Sequence, residues 1–311
     1  MTLHQTSGRW QLGLGLSLTS VFLWGILPIA LSVALQALDV YTVTWFRFCM
    51  AFGILAIYLA CRKQLPELPK LREASFGLLA IATLFLGLNY LLFLKGLVLT
   101  SPTTSEVIIQ LAPILLSIGA LVIFKERYTS RQWLGLGILS LGFAVYFHEQ
   151  LKPVITAPNN YLLGNALLVI GAVAWAMYAL AQKQLLHKLP STTIMLVIYG
   201  GCGLLFTPLA KPQMLLTLSP LHWGMLLFCG LNTLLAYGAF AEALDHWEAS
   251  RVSAITALTP LVTLVAVWAV SLLAPTLIAP EHLSLLGIVG ALLVVVGSIA
   301  IAIGKNQLKE V

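Results

Sequence analysis

Two ionisable side chains stand where an otherwise apolar chain has least use for them. Arg47 belongs to a stretch, Phe48 to Cys61, that is long enough to cross a bilayer only if Arg47 is included, and Glu106 opens the apolar run that follows Pro102. A charge at the centre of a membrane helix costs about 2.5 to 3.5 kcal/mol on insertion scales, so both are first candidates for chemistry. Buried, Glu106 could alternate between a protonated form and one paired with Arg47 or with a substrate ammonium. Arg47 could grip that carboxylate, or a substrate's, through its planar fork. Structural readings stand beside these. Thr103-Thr104-Ser105-Glu106 after Pro102 fits a capping box, and Arg47 fits snorkelling to the outer interface or bonding to exposed carbonyls.

Prolines and small polar groups extend the set. Pro113 and Pro260 fall inside apolar runs, where each removes an amide donor and frees the carbonyl four residues earlier, at Ile109 and Thr256. Glu106, Gln110, Pro113 and Ser117 recur at helical spacing, as do Ser253, Thr256, Pro260 and Thr263, so each set forms one polar, proline-marked stripe. Trp24 and Trp175 occupy comparable mid-run places, Trp175 together with Tyr178 and Gln182 on one face. Asn89 and Tyr90, with Asn232 and Tyr237, put hydrogen-bonding groups where lipid supplies none. Trp24, Asn89, Tyr90, Gln110, Trp175, Tyr178, Asn232, Tyr237 and Thr256 are therefore candidate binding residues. Arg47 and Glu106 are the candidate ion pair or coupling residues, and Pro113 and Pro260 the helix breaks. For all of them, bonding between neighbouring helices is the competing reading.

Other polar residues carry less. Lys125, Glu126 and Arg127 read as a topological anchor, and Glu242, Asp245, Glu248 and Arg251 as a solvated or gating inner loop. His148-Glu149 does not complete a zinc motif, and Cys49, Cys61, Cys202 and Cys229 read as reduced packing thiols, so neither a metal nor a cofactor is expected.

The elements that must hold these residues are membrane helices. Of the residues, 59% are hydrophobic and 9% charged, against about 25% charged in soluble domains. Mean hydropathy is +0.96. The runs predict an all-α polytopic membrane protein with ten transmembrane helices near 11–34, 41–61, 75–97, 103–124, 132–148, 161–181, 192–210, 221–242, 252–273 and 284–303. Gly87-Leu88-Asn89 returns as Gly230-Leu231-Asn232, Leu111-Ala112-Pro113 as Leu258-Thr259-Pro260, and Gly135 and Gly142 as Gly290 and Gly297. Two five-helix repeats, 1–150 and 151–311, follow, and an odd helix number turns the second copy upside down. With the N-terminus in the cytoplasm, thirteen basic residues, among them Arg62, Lys70, Arg72, Arg127 and Lys305, fall inside and three outside, which predicts cytoplasmic termini. The net charge of +6 is scattered through loops with no stripe of interleaved aromatics, so nucleic acid is not an expected partner.

In its ten helices, Trp24-Gly25, Phe46-Arg47-Phe48, the Thr100 to Pro113 passage, Lys125-Glu126-Arg127 and the Gly135 and Gly142 pair, the chain resembles the drug/metabolite transporter superfamily and, within it, the EamA-type permeases. The resemblance implies export or exchange of small metabolites, often amino acids, through a cavity lined by the first, third, fourth, sixth, eighth and ninth helices. A secondary transporter in an inner membrane is the leading expectation, with amino acids or derivatives as substrate and protons and membrane lipid as partners. No G-x-x-x-x-G-K-[ST] loop supports a nucleotide-driven pump. The alternatives are a flippase for lipids or lipid-linked sugars, and a membrane-embedded enzyme, for which neither H-E-x-x-H nor G-x-S-x-G is present.

Overall fold

Small polar residues start the helices. Asp39 accepts from the amides of Tyr41 and Thr42 at 2.9 and 3.0 Å, Ser75 from Leu78 at 3.4 Å, Ser101 from Thr104 at 3.2 Å and Ser219 from His222 at 3.4 Å. In the computed structural model, which describes residues 6–66, 75–126, 128–156, 159–274, 277 and 285–303, all regular structure is helical. The helices are α1 (Trp10–Ala34), α2 (Val40–Cys61), α3 (Phe76–Leu99), α4 (Pro102–Ile109), α5 (Leu111–Ile123), α6 (Ser130–Thr156), α7 (Asn159–Leu185), α8 (Ser191–Phe206), α9 (Pro220–His246), α10 (Ala249–Thr256), α11 (Thr259–Leu273) and α12 (Leu285–Ile303). A 3-10 turn, Pro212–Thr217, precedes α9.

Among the described residues, seven segments are long and apolar enough to cross a membrane: α1, α2, α3, α4 with α5, most of α7, α9, and α10 with α11. Ten full crossings were expected, and these seven are the ones that the described residues show. At 16 residues α8 falls short of the roughly 20 that a bilayer core needs, because the helix gives way to a turn after Phe206. The last helix is likewise apolar but short, and α6 runs past the expected 148 to Thr156 with His148, Glu149 and Lys152 in its length. Lys70, Arg72, Arg127, Lys305 and Lys309, and residues 278–282 of the loop expected before the last helix, lie outside the described residues.

The helices pack mainly as pairs: α1 with α9, α3 with α7, α2 with α8, and α6 with α12. Glycine decides how close one pair comes. A Cβ on Gly142 would lie 2.7 Å from the amide nitrogen of Val294 and 2.9 Å from the carbonyl of Gly290, and one on Gly297 would lie 2.7 Å from the carbonyl of Gly135. The two glycine pairs thus meet crosswise over the α6–α12 seam, Gly142 against Gly290 and Gly135 against Gly297, backbone against backbone. Ser7 donates its amide to the carbonyl of Asp245 at 2.9 Å, which ties the start of the chain to the end of α9.

Candidate functional site

The two prolines build the centre. The first interrupted segment breaks at Gln110, between α4 and α5, where Pro113 leaves the carbonyl of Ile109 without a helical donor. The second breaks between α10 and α11, and the Thr259 hydroxyl donates to the Thr256 carbonyl at 2.6 Å. The breaks meet: the Ser253 hydroxyl donates to the Pro113 carbonyl and lies 2.9 Å from the Ser117 hydroxyl. Thr263 ties the second break to α1 by donating to the Gly25 carbonyl at 2.8 Å.

Beside the breaks lies a cavity of about 80 Å³, room for several waters, bordered by α1, α2, α3, α7, α9 and both interrupted segments. Of the candidate residues, Trp24, Arg47, Asn89, Tyr90, Glu106, Gln110, Pro113, Trp175, Tyr237 and Thr256 border it. Trp24 anchors the aromatic wall, its ring centroid 5.8 Å from Trp175, 5.0 Å from Tyr237 and 5.4 Å from Phe240. Asn89 also spends its amide on the Gly171 carbonyl at 3.0 Å, joining α3 to α7.

Arg47 and Glu106 reach the same cavity without pairing. Arg47, 2% exposed, donates from Nε to the Thr233 hydroxyl at 2.9 Å and lies with its guanidinium carbon 4.3 Å from the centroid of Tyr90. Glu106 is buried and accepts from Gln110 Nε2 at 2.9 Å. The expected direct ion pair is therefore not formed, because each group is held by a neutral partner of its own. Nor does Glu106 belong to a capping box. Ser101 fills that place, and the Glu106 carboxyl points along its own helix to Gln110 one turn on. Arg47 does not snorkel; it is enclosed. Trp24 Nε1 and Gln110 Oε1 have no hydrogen-bond partner among the described residues, so the lining keeps one donor and one acceptor unspent.

Other candidates lie elsewhere. The Tyr178 hydroxyl donates to Met195 Sδ at 3.6 Å and the ring is in the core. Asn232 donates to the Leu23 carbonyl at 2.5 Å and so tethers α9 to α1. Pro260 shapes its break without bordering the cavity. Sequence reasoning missed Thr233, which receives both Arg47 and the Tyr90 hydroxyl (3.3 Å) and passes its own hydrogen to the Cys229 carbonyl at 2.9 Å. A lone threonine in an apolar helix carries no signal of such a role.

It also missed a clasp at the end of the bundle that carries the N-terminus. Lys125 turns the chain at φ 53°, and Glu126 follows with its carboxylate 2.9 Å from Lys183 Nζ. The same carboxylate accepts from the amides of Ala249 and Ser250 at 3.1 and 3.3 Å, so it caps α10 as well. One side chain joins the ends of α5 and α7 to the start of α10. Burial pushes the Glu126 carboxyl up, and the Lys183 charge with the Ser250 bonds outweighs it, holding the group below the usual carboxylate range. The anchor reading of Glu126 is thus corrected: the side chain is 10% exposed and paired.

The presumed inner loop is the end of α9 and the start of α10, where Arg251 pairs with Glu248 at 2.9 Å. Glu242, Asp245 and His246 bring one ligand atom each within 4.8 Å of one another. The imidazole is engaged on both nitrogens, by Ser7 at 2.7 Å and by Glu242 at 3.4 Å, which leaves it no free ligand atom. All four cysteines are free thiols; Cys202 and Cys229 are buried, and Cys61 is exposed instead of packed.

Comparison with known proteins places this geometry. The EamA-like transporter family model matches residues 11–147 and 162–303. The chain is 41% identical over 303 residues to the "uncharacterized inner membrane transporter YhbE" of Escherichia coli K12, covering 96% of this chain and 94% of that one. It is 24% identical over 295 residues to a Salmonella typhimurium protein described as a "probable amino-acid metabolite efflux pump", covering 91% and 92%. A solved crystal structure superposes with a TM-score of 0.70 at 15% identity over 94% of this chain and 97% of the other, a likeness of fold alone.

Proposed function

The chain belongs to the EamA-like transporter family, and from that premise we propose that it is a secondary carrier, and not an enzyme, that exports or exchanges small zwitterionic metabolites across an inner membrane. Amino acids or their derivatives are the substrate class. The observation that carries the reading is a guanidinium and a carboxyl, Arg47 and Glu106, bordering one buried cavity without bonding to each other. A substrate carboxylate would bond to Arg47 and its ammonium to Glu106, and the aromatic wall would take an apolar side chain. The name of the Salmonella relative supports the same class.

Alternating access would come from ten helices arranged as two inverted repeats. The twofold match of the family model supports this, and so does the packing: exchanging the halves carries the α1–α9 pair onto α7–α3 and returns α2–α8 and α6–α12 onto themselves. The Glu126 clasp, with the Ser117–Ser253 contact above it, would close the path at the N-terminal end, which the distribution of basic residues assigns to the cytoplasm. A flippase is the second reading, favoured by a groove open sideways between α1, α2, α8 and α9.

Flux in proteoliposomes tests the proposal, with a panel of labelled amino acids and with a fluorescent phospholipid, each with and without a pH gradient. Saturable movement of an amino acid, lost in Glu106→Gln with normal insertion, is the expected result. Phospholipid movement with no amino-acid flux would replace the carrier reading by the flippase.

A further inference from the structure

A second space, the sideways groove, lies apart from the central cavity. Its volume is about 1090 Å³, at the upper end of the range of ligand pockets. The walls are the first half of α1, the last turns of α2, the start of α8 and the second half of α9. It shares no lining residue with the central cavity. Trp24 packs on Tyr237 and Phe240 on the side of the central cavity, and the Tyr199 hydroxyl, on the groove wall, donates to the Thr233 carbonyl at 2.9 Å.

Length and polarity define what would fit. From Gly15 to Leu23 on α1, and from Leu234 to Glu242 on α9, the groove runs eight residues, or about 12 Å along a helix. Half of a hydrocarbon core is about 15 Å, so the groove has the depth of one leaflet. Its flanks, Leu18, Phe22 and Leu235, are apolar and exposed. Polar groups collect at one end, where Ser191 and Thr192 form the first turn of α8 and Glu242 lies in the last turns of α9. Gly15 and Gly238 keep the space open: a Cβ added at either meets no atom within 4 Å.

We propose that this groove seats one phospholipid with an ammonium headgroup, of the phosphatidylethanolamine class, as a bound lipid distinct from the transported substrate. Its acyl chain lies along α1 and α9. Its phosphate lies at the first turn of α8, where the helix presents its positive end. Its ammonium meets the Glu242 carboxylate, which is 42% exposed; Ser191 donates to its Oε2 and His246 Nε2 lies 3.4 Å from its Oε1, so each oxygen keeps a further lone pair for the headgroup. A phosphatidylglycerol headgroup would bring no cation to that carboxylate.

Native mass spectrometry of the full-length protein in detergent tests the seat, titrating phosphatidylethanolamine and phosphatidylglycerol of identical acyl chains. The wild type is expected to retain one phosphatidylethanolamine in preference. Glu242→Gln should lower that preference about tenfold, as losing one charge-assisted hydrogen bond implies. Gly238→Phe should abolish retention of both lipids, and Gly137→Phe, on an exposed stretch of α6 with nothing near its Cβ, should leave it unchanged. If Gly238→Phe does not elute as a single species, Gly15→Leu fills the same groove. Equal retention of the two lipids by the wild type, or undiminished retention in the filled groove, would overturn the proposal. The readout is bound lipid and not flux, so its failure leaves the carrier reading standing.

Discussion

Lys183→Met removes the ammonium from the clasp and leaves Glu126 as an unpaired, 10% exposed carboxylate. Breaking a buried pair from one side costs about 3 to 5 kcal/mol. The amides of Ala249 and Ser250 still solvate the carboxylate, which puts the variant at the lower end, about 3 kcal/mol or roughly two orders of magnitude in the unfolding equilibrium. Glu126→Gln should cost a similar amount, because it strands Lys183, which is 2% exposed. The double variant strands nothing and should be less destabilised than either single one. Unfolding in mixed micelles, followed by tryptophan fluorescence and far-ultraviolet circular dichroism, measures all four proteins. Acidity adds a test of sign. In the wild type the carboxyl is held below its ordinary value of 4.5, so its contribution is complete above pH 4.5 and is lost as pH falls through the depressed value. In Lys183→Met burial acts with its main opponent gone and the carboxyl moves up. That variant should gain stability as pH falls from the raised value toward 4.5. Additive single effects, or the same acid slope in both proteins, would refute the argument.

Three other outcomes follow from the geometry. Arg47→Lys keeps the charge but loses the fork, so it should insert normally while flux of a carboxylate substrate falls at least about tenfold in proteoliposomes. Thr233→Val removes the acceptor of Arg47 and of the Tyr90 hydroxyl and should lower stability by about 2 kcal/mol, read as a drop in Tm. Gly142→Leu drives a side chain into the Val294 amide and should destabilise the α6–α12 pair by about 3 kcal/mol or more, whereas Gly137→Leu should be silent in the same thermal scan.

The breaks were legible because proline leaves a chemical signature that no packing hides: a missing donor at Pro113 and Pro260 is visible in one letter. Glu106 and Arg47 were legible for the same reason, as charges in apolar runs. Their pairing was not, since it depends on Thr233 and Gln110 already holding them. Tyr178 and Asn232 share the residue types of the lining, but which face of a helix meets the cavity is set by neighbours such as Met195 and the Leu23 carbonyl. Helix spacing alone assigns residues to a face and not the face to a partner. Glu126 misled because its sequence neighbours are basic and loop-like, while the groups that bury it stand 57 and 123 residues away. Where a run of apolar letters continues past the end of its helix, as after Phe206, the helix length was not legible in the sequence.

The enclosure of Arg47 also bears on how the protein is made. As α2 leaves the ribosome its guanidinium has neither of its partners; the Tyr90 ring arrives with α3, and the Thr233 hydroxyl comes 186 residues after Arg47, with α9. Until then the second helix carries an insertion penalty of about 2.5 to 3.5 kcal/mol that only its successors relieve. Biogenesis is therefore chained from late to early: the first half cannot settle fully in the bilayer before most of the second has been translated, and a nascent chain truncated before α9 would present the quality-control machinery with an unsolvated cation inside a marginal helix.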